Sequence, residues 1–372
     1  VNKVMMQLKT MKKQNYIFYT TVLFIVIASI VFVHHNHGLY DKPIGVVTEV
    51  NLINEEPTTD RAGNEDTRGQ QELYLKLQNG NQKGEQVTVI DEFTGSKATG
   101  DRYRTGDQLF LSINGEEARV EGVKRDYYLV YVAWFFIFAL LLVGKKQGLM
   151  ALLSLAINSL ILSFALDAFI QTSNVSLLFV SLICIVLFTV ISLLMVNGRS
   201  IKTYAAIFAT LSGMLALLAI TSILLYVTGG TGLRFEEMQF LTRHPEVIFL
   251  AGVLIGALGA VMDVAITITS SLYNLFEKNN KITLEQLNSS GKAIGKDIMG
   301  TMTNILFFVY ISGSIPIIII YIKNAVPLSF ALSHTISLDI ARALAGGIGI
   351  VVTIPIAIYI INYLISRKQV RS

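Results

Sequence analysis

Cysteine is nearly missing from this sequence, and so is charge. One thiol, Cys184, occurs in 372 residues, which excludes an intrachain disulfide, a thiolate metal centre and CxxC redox chemistry. Its place inside an apolar run suits a small packing residue. Only 15% of residues are charged against 52% hydrophobic, and the mean hydropathy is +0.56. A soluble domain of this length does not show that balance, so the bilayer is the solvent for most of the chain. No HExxH motif and no Ser/His pair is present. The basic residues form no aromatic-interleaved patch, which argues against nucleic acid. His34, His35 and His37 cluster where the first helix ends, at a spacing that can ligate a transition metal. No carboxylate or cysteine nearby completes that set, so neither a metal nor a cofactor is expected.

A bilayer core needs about 20 apolar helical residues, because every backbone donor and acceptor must be satisfied internally. Eight runs qualify: 16–33, 127–143, 149–166, 175–196, 204–227, 247–270, 299–321 and 341–365. Gly, Ser and Thr recur within them, as helix packing in lipid requires. The expected fold is an all-α polytopic membrane bundle of about eight transmembrane helices, with a small all-β extracytoplasmic domain between helices 1 and 2. Three regions follow: a basic tail and anchor over 1–34, the outer domain over 35–126, and a seven-helix core over 127–372.

Lysine and arginine set the orientation. With the N-terminus inside, Lys3, Lys9, Lys12, Lys13, Lys145, Lys146, Arg199, Lys202, Lys278, Lys281, Lys292, Lys296, Arg367, Lys368 and Arg371 all fall on the cytoplasmic side. The short outer loops carry Arg234, Arg243 and Lys323, with Arg342 at the outer end of the last helix. Both termini are therefore expected inside a plasma membrane. Phe32-Val33-His34-His35 offers no small-x-small cleavage site, which favours an uncleaved anchor. Translation starting at Val1 or at Met11 leaves that topology unchanged.

Residues 35–126 change character. Strand-like alternation covers 44–52, 72–78, 86–91, 108–113 and 117–123, with Asn114-Gly115 as a tight hairpin turn and Asn79-Gly80 opening a looser one. Five short strands point to a small barrel, OB-like, with a sandwich fragment as the alternative. The stretch 54–69 reads as a long loop. The domain holds 17 acidic and 11 basic residues, a balance that suits a solvated surface or the gathering of cations.

The strongest chemical signal lies in the sixth run. At 100° per residue, Gly252, Gly256, Gly259, Asp263, Thr267 and Ser270 share one helix face. The glycines permit close approach by a neighbouring helix. Ionised Asp inside a span costs on the order of 3 kcal/mol, so it normally faces a partner or a water-filled cavity. Asp297, Thr301 and Asn304 share a face at the start of the seventh run, near the same depth if the two spans pack antiparallel. A polar pocket between these helices is the expected substrate or ion site. Between the two runs, 273–296 reads as a basic loop holding a short helix from Thr283, which can cap it, through Leu287. Gly313 and Pro316 are expected to interrupt the seventh helix. Gly346-Gly347-x-Gly349 with Pro355 is expected to interrupt the eighth, since broken helices free backbone groups for ligands. Asp339 and Arg342 are three apart and suit a local ion pair.

Four blocks together resemble the YibE/F-like multipass membrane proteins: Gly198–Ala206, Gly256–Val264, Ile294–Asn304 and Ala341–Gly349. Their order covers the chain from about residue 127 onward. The added anchor and outer domain resemble the longer member of a two-protein pair, which implies a hetero-complex with a shorter, membrane-only relative. The resemblance assigns no biochemical activity.

Three function classes follow. The expected one is a permease or transporter, not an enzyme, moving a small ion or solute through a site centred on Asp263, Asp297 and Asn304. The alternative is a membrane sensor or assembly component whose outer domain binds a ligand or partner. The third, an intramembrane hydrolase with two aspartates sharing a proton, lacks a Gly-x-Gly-Asp-like block around either residue.

Overall fold

The computed structural model describes residues 20, 22–115, 117–172, 175–238, 244–279 and 281–371. Lys3, Lys9, Lys12, Lys13, Met11 and Arg243 lie outside the described residues. The chain divides into two compact units, Val1–Leu142 and Val143–Ser372.

In the first unit, α1 (Val22–Leu39) ends in the 3-10 turn Asn36–Leu39. Five antiparallel strands follow: β1 (Ile44–Thr59), β2 (Glu65–Leu77), β3 (Gln86–Thr94), β4 (Gln108–Asn114) and β5 (Glu117–Val123). Their order in the sheet is β3-β2-β1-β4-β5. Alternation decides which side is core: Leu73, Leu75 and Leu77 point inward, with Glu72, Tyr74 and Lys76 between them. The inward residues join Val47, Val89, Leu109, Leu111 and Tyr103. Gly115 takes a positive φ of 69° at the β4–β5 hairpin turn, as its Asn-Gly dipeptide requires.

The loop expected over 54–69 is instead a paired extension of β1 and β2, in register from Asn54↔Gln70 to Thr59↔Glu65. Polar residues hid it, because neither of its faces is covered by the core and no alternation develops. The turn closes on Asp60, whose Oδ1 accepts from the amides of Ala62 (2.8 Å) and Asn64 (2.9 Å).

Two buried polar side chains join helix to sheet in this unit. Asn79 accepts from the Ile44 amide (2.6 Å) and donates to the carbonyls of His37 (2.9 Å), Tyr40 (3.0 Å) and Lys42 (3.0 Å). Lys124, fully buried, donates to the Val33 carbonyl (2.7 Å) and pairs with Asp126 (2.8 Å). Asp126 also accepts from Asn36 and Tyr40. The histidine rings disperse: His34 meets the Tyr131 hydroxyl, His35 the Val31 carbonyl and His37 the Gln108 amide. Among the described residues no three metal-ligating side chains converge.

The second and third apolar runs form α2 (Asp126–Gln171), two helical arms that meet at a kink. It breaks at Lys145, where φ is 47° and ψ is −123°. The second unit continues with α3 (Leu177–Asn197), α4 (Ile201–Thr228), α5 (Pro245–Lys278), α6 (Leu284–Ser312), α7 (Ile315–Lys323), α8 (Leu328–Thr335) and α9 (Ser337–Arg371). With α2 counted once, six described helices are individually long and apolar enough to cross a membrane, or up to seven if α6 and α7, bent by 51°, count as one.

Two expectations about helix ends need correction. The segment 273–296 is not a loop, because α5 continues to Lys278 and α6 begins at Leu284. Thr283 does cap α6, through a reciprocal box with Gln286. The break at Gly313 and Ser314 is present, with Pro316 in the first turn of α7. Helix α9, however, runs unbroken through Gly346, Gly347, Gly349 and Pro355. Its glycines serve packing: a Cβ on Gly347 would meet Thr303 at 3.1 Å and one on Gly349 would meet Leu217 at 3.0 Å, while Gly346 is closed by Leu306. These contacts set α9 antiparallel to both α6 and α4 at the centre of the unit.

Burial and chemistry conflict within the β-sheet of the first unit. Asp91 on β3 is half-buried with its Oδ2 lacking a hydrogen-bond partner, and that burial pushes its carboxyl above the usual carboxylate range. The native state therefore holds this proton more tightly than the unfolded chain. Its contribution is favourable at low pH and is lost as pH rises from the ordinary Asp range through the raised native value. Asp91→Asn is expected to raise hydrogen-exchange protection of the β2–β3 ladder at pH 7, with the gain shrinking toward pH 4.

Candidate functional site

Helix α5 is enclosed on most of its circumference. Phe249, Val253, Leu254, Ala257, Val261, Val264, Ala265 and Ile268 are all buried against α3, α4, α6 and α9. One stripe stays open, and it is the stripe singled out in the sequence: Gly252, Gly256, Gly259, Asp263 and Thr267 are exposed, and Ser270 is half-buried. The reason is geometric. Small and polar residues at i, i+4, i+7, i+11 and i+15 leave the apolar side chains on the remaining faces, and those faces take the neighbouring helices.

The glycine row was expected to seat a neighbouring helix, and only Gly256 does so. A Cβ there would collide with the Tyr310 hydroxyl and lie 3.0 Å from its Cζ. Gly252 has only Arg342 Nε near, at 3.9 Å, and Gly259 has nothing within 4 Å. The Gly252 end also lines an apolar cavity of 210 Å³ with Leu166, Val180, Cys184 and Ile255. From Gly252 to Asp263 the stripe extends about 17 Å along the helix.

Asp263 makes no hydrogen bond or ion pair among the described residues, and neither do Asp297, Thr267, Thr301 or Asn304. No hydrogen bond joins the α5 members of this set to the α6 members among the described residues. Leu287, Gly291, Gly295 and Leu306 form the buried stripe of α6, whereas Asp297, Thr301 and Asn304 are exposed. Sharing one face of α6 was legible; which face would be buried was not, since both stripes carry small residues.

A polar cluster instead forms around the α6–α7 break. Asp339 pairs with Arg342 at 2.8 Å, as its spacing suggested, and also accepts a short hydrogen bond from Ser314. Arg342 lies over the Phe249 ring at 5.9 Å. Tyr310, between this cluster and Gly256, has a buried hydroxyl with no partner. Sequence reasoning passed over Tyr310; the signal was its position two residues before Ser312-Gly313-Ser314. Asp263 is thus the uncompensated carboxylate of the stripe, while Asp339 is held by its own chain.

The two glycines give a direct check on this geometry. Gly256→Ala is expected to cost about 1–3 kcal/mol by displacing Tyr310, and Gly259→Ala to stay within about 0.5 kcal/mol. Thermal unfolding of the two purified variants against wild type measures the difference.

Residues 132–367 match the model of the YibE/F-like protein family, and residues 38–126 match the YibE/F family N-terminal domain. Comparisons with curated proteins and with solved structures found no significant match. The larger match covers more than half of the chain, together with every residue of the α5 stripe and the α6–α7 break. This protein belongs to the YibE/F-like family.

Proposed function

We propose that this chain is a subunit of a multipass permease whose polar site is centred on Asp263 and completed by a second, shorter YibE/F-like chain. One observation carries the reading: Asp263 stands unpartnered on the single uncovered stripe of an otherwise enclosed, apolar helix. An ionised carboxylate in that setting costs on the order of 3 kcal/mol, so it needs a proton, water or a cation, or a partner from outside the chain. Gly252 and Gly259, open on the same stripe, let another helix approach closely enough to supply one. A carboxylate that alternates between protonated and ionised states can couple movement of a small ion or solute to protons. Asp297, Thr301 and Asn304, exposed on α6, would line the path rather than the centre.

In this reading the chain crosses a plasma membrane eight times, because α2 divides at Lys145 into two arms and α6 with α7 forms one bent span. Both termini are cytoplasmic and residues 35–126 are outside. The outer domain is OB-like: the order β3-β2-β1-β4-β5, with the edges β3 and β5 approaching each other, supports a partly open barrel. The paired extension of β1 and β2 favours a second reading, a sensor or assembly component, since its exposed edges suit a ligand or partner.

Proteoliposome flux, with and without the shorter relative and across a panel of cations and small solutes, tests the permease. Wild type is expected to show gradient-sensitive flux, and Asp263→Asn to lose at least tenfold of it at equal membrane insertion. Full flux in Asp263→Asn would remove that residue from the mechanism. Absence of any flux with both chains inserted would favour the second reading.

A further inference from the structure

Away from the α5 stripe, α6 and α9 diverge to leave a groove of 660 Å³, within the range of roughly 300–1,000 Å³ typical of small-molecule sites. The two walls of its lining differ in chemistry. Met299 on α6 and Val351, Ile354, Pro355 and Tyr359 on α9 form an apolar wall. Val351 and Tyr359 are 45% and 73% exposed, so this wall opens sideways onto the surface that faces lipid. Across from it on α6 stand Lys292 and Lys296, one helical turn apart and next to Gly291 and Gly295, which pack on Ile358 and Ile354 of α9. Both lysines are exposed, and neither forms an ion pair among the described residues. Asn362 of α9, one turn beyond Ile358, also lines the groove, with its Oδ1 buried and lacking a donor among the described residues.

Each of these features asks for a different part of one molecule. Two unpaired ammonium groups call for a phosphate. A buried amide oxygen without a donor calls for a hydroxyl or ammonium hydrogen close to that phosphate. An apolar wall open to the bilayer calls for an acyl chain, and offers nothing to a free phosphate. Glu285, on the same rim, leaves a net positive charge and can accept from a headgroup hydroxyl. We propose that the α6–α9 groove binds an anionic glycerophospholipid, with its phosphate between Lys292 and Lys296, a headgroup hydroxyl donating to Asn362 and one acyl chain against the α9 wall. This assignment is independent of the role given to Asp263.

Native mass spectrometry of the full chain in detergent tests it, titrating phosphatidylglycerol and phosphatidylcholine of identical acyl composition. Wild type is expected to retain phosphatidylglycerol about thirtyfold more tightly, given roughly 1 kcal/mol for each of two lysines near an anionic headgroup. Lys292→Gln with Lys296→Gln should abolish that preference, and Val351→Trp should weaken both lipids by filling the wall. Arg367→Gln, at the same end of α9 but outside the groove, should bind as wild type does. Equal binding of the two lipids by wild type would overturn the proposal, as would a loss in Arg367→Gln matching that of the double variant. Displacement of phosphatidylglycerol by inorganic phosphate would show a free-anion site and overturn the lipid assignment.

Discussion

Close backbone approach along α9 is the constraint on which the second unit depends. Lipid gives helices no hydrophobic reason to associate, so contact must come from surfaces that fit. Gly346, Gly347 and Gly349 bring Leu306, Thr303 and Leu217 against the α9 backbone. Buried Thr353 continues the same surface, returning its hydroxyl to the Gly349 carbonyl at 2.7 Å. A side chain at any of these glycines would separate α9 from α4 or α6, and with it the enclosure of α5.

That enclosure makes the α5 stripe distinctive. Val261, Val264, Ala265 and Ile268 are fully buried around Asp263, so the carboxylate is fixed by a rigid helix while its own direction stays free. The Asp339–Arg342 pair shows the contrasting solution, with charge compensated within the chain at a helix break where irregular backbone is already present. One unit thus holds a satisfied acidic site and an unsatisfied one. The unsatisfied one lies on the surface available to another molecule.

The first unit solves a different problem, the passage from helix to sheet. A chain leaving α1 exposes carbonyls at the helix end. Asn79 and Lys124 collect the carbonyls of Val33 and His37 there and of Tyr40 and Lys42 just beyond it. Lys124 tolerates complete burial because Asp126 is beside it. Neither residue stands out in the sequence, since an Asn-Gly turn and a basic residue before a span are both ordinary. Their roles arise only when residues 35 and 91 positions apart are brought together.

By itself, the sequence determined whatever depends on period and composition. It fixed the membrane class, the small β domain with its five strands, the Thr283 cap, the break at Gly313 and the alignment of Gly252, Gly256, Gly259 and Asp263 on one face. These follow from local spacing, which a helix or strand converts directly into position. Tertiary structure decided which faces are covered. It turned the α9 glycines from a break into a packing surface, left the α5 stripe open, left Asp297 and Asn304 exposed with no hydrogen bond to Asp263, and paired 54–59 with 65–70 where no hydrophobic pattern marked a strand. Those outcomes depend on competition between faces of similar small-residue content, and that competition is settled by the shapes of neighbouring helices and strands, which local spacing does not encode.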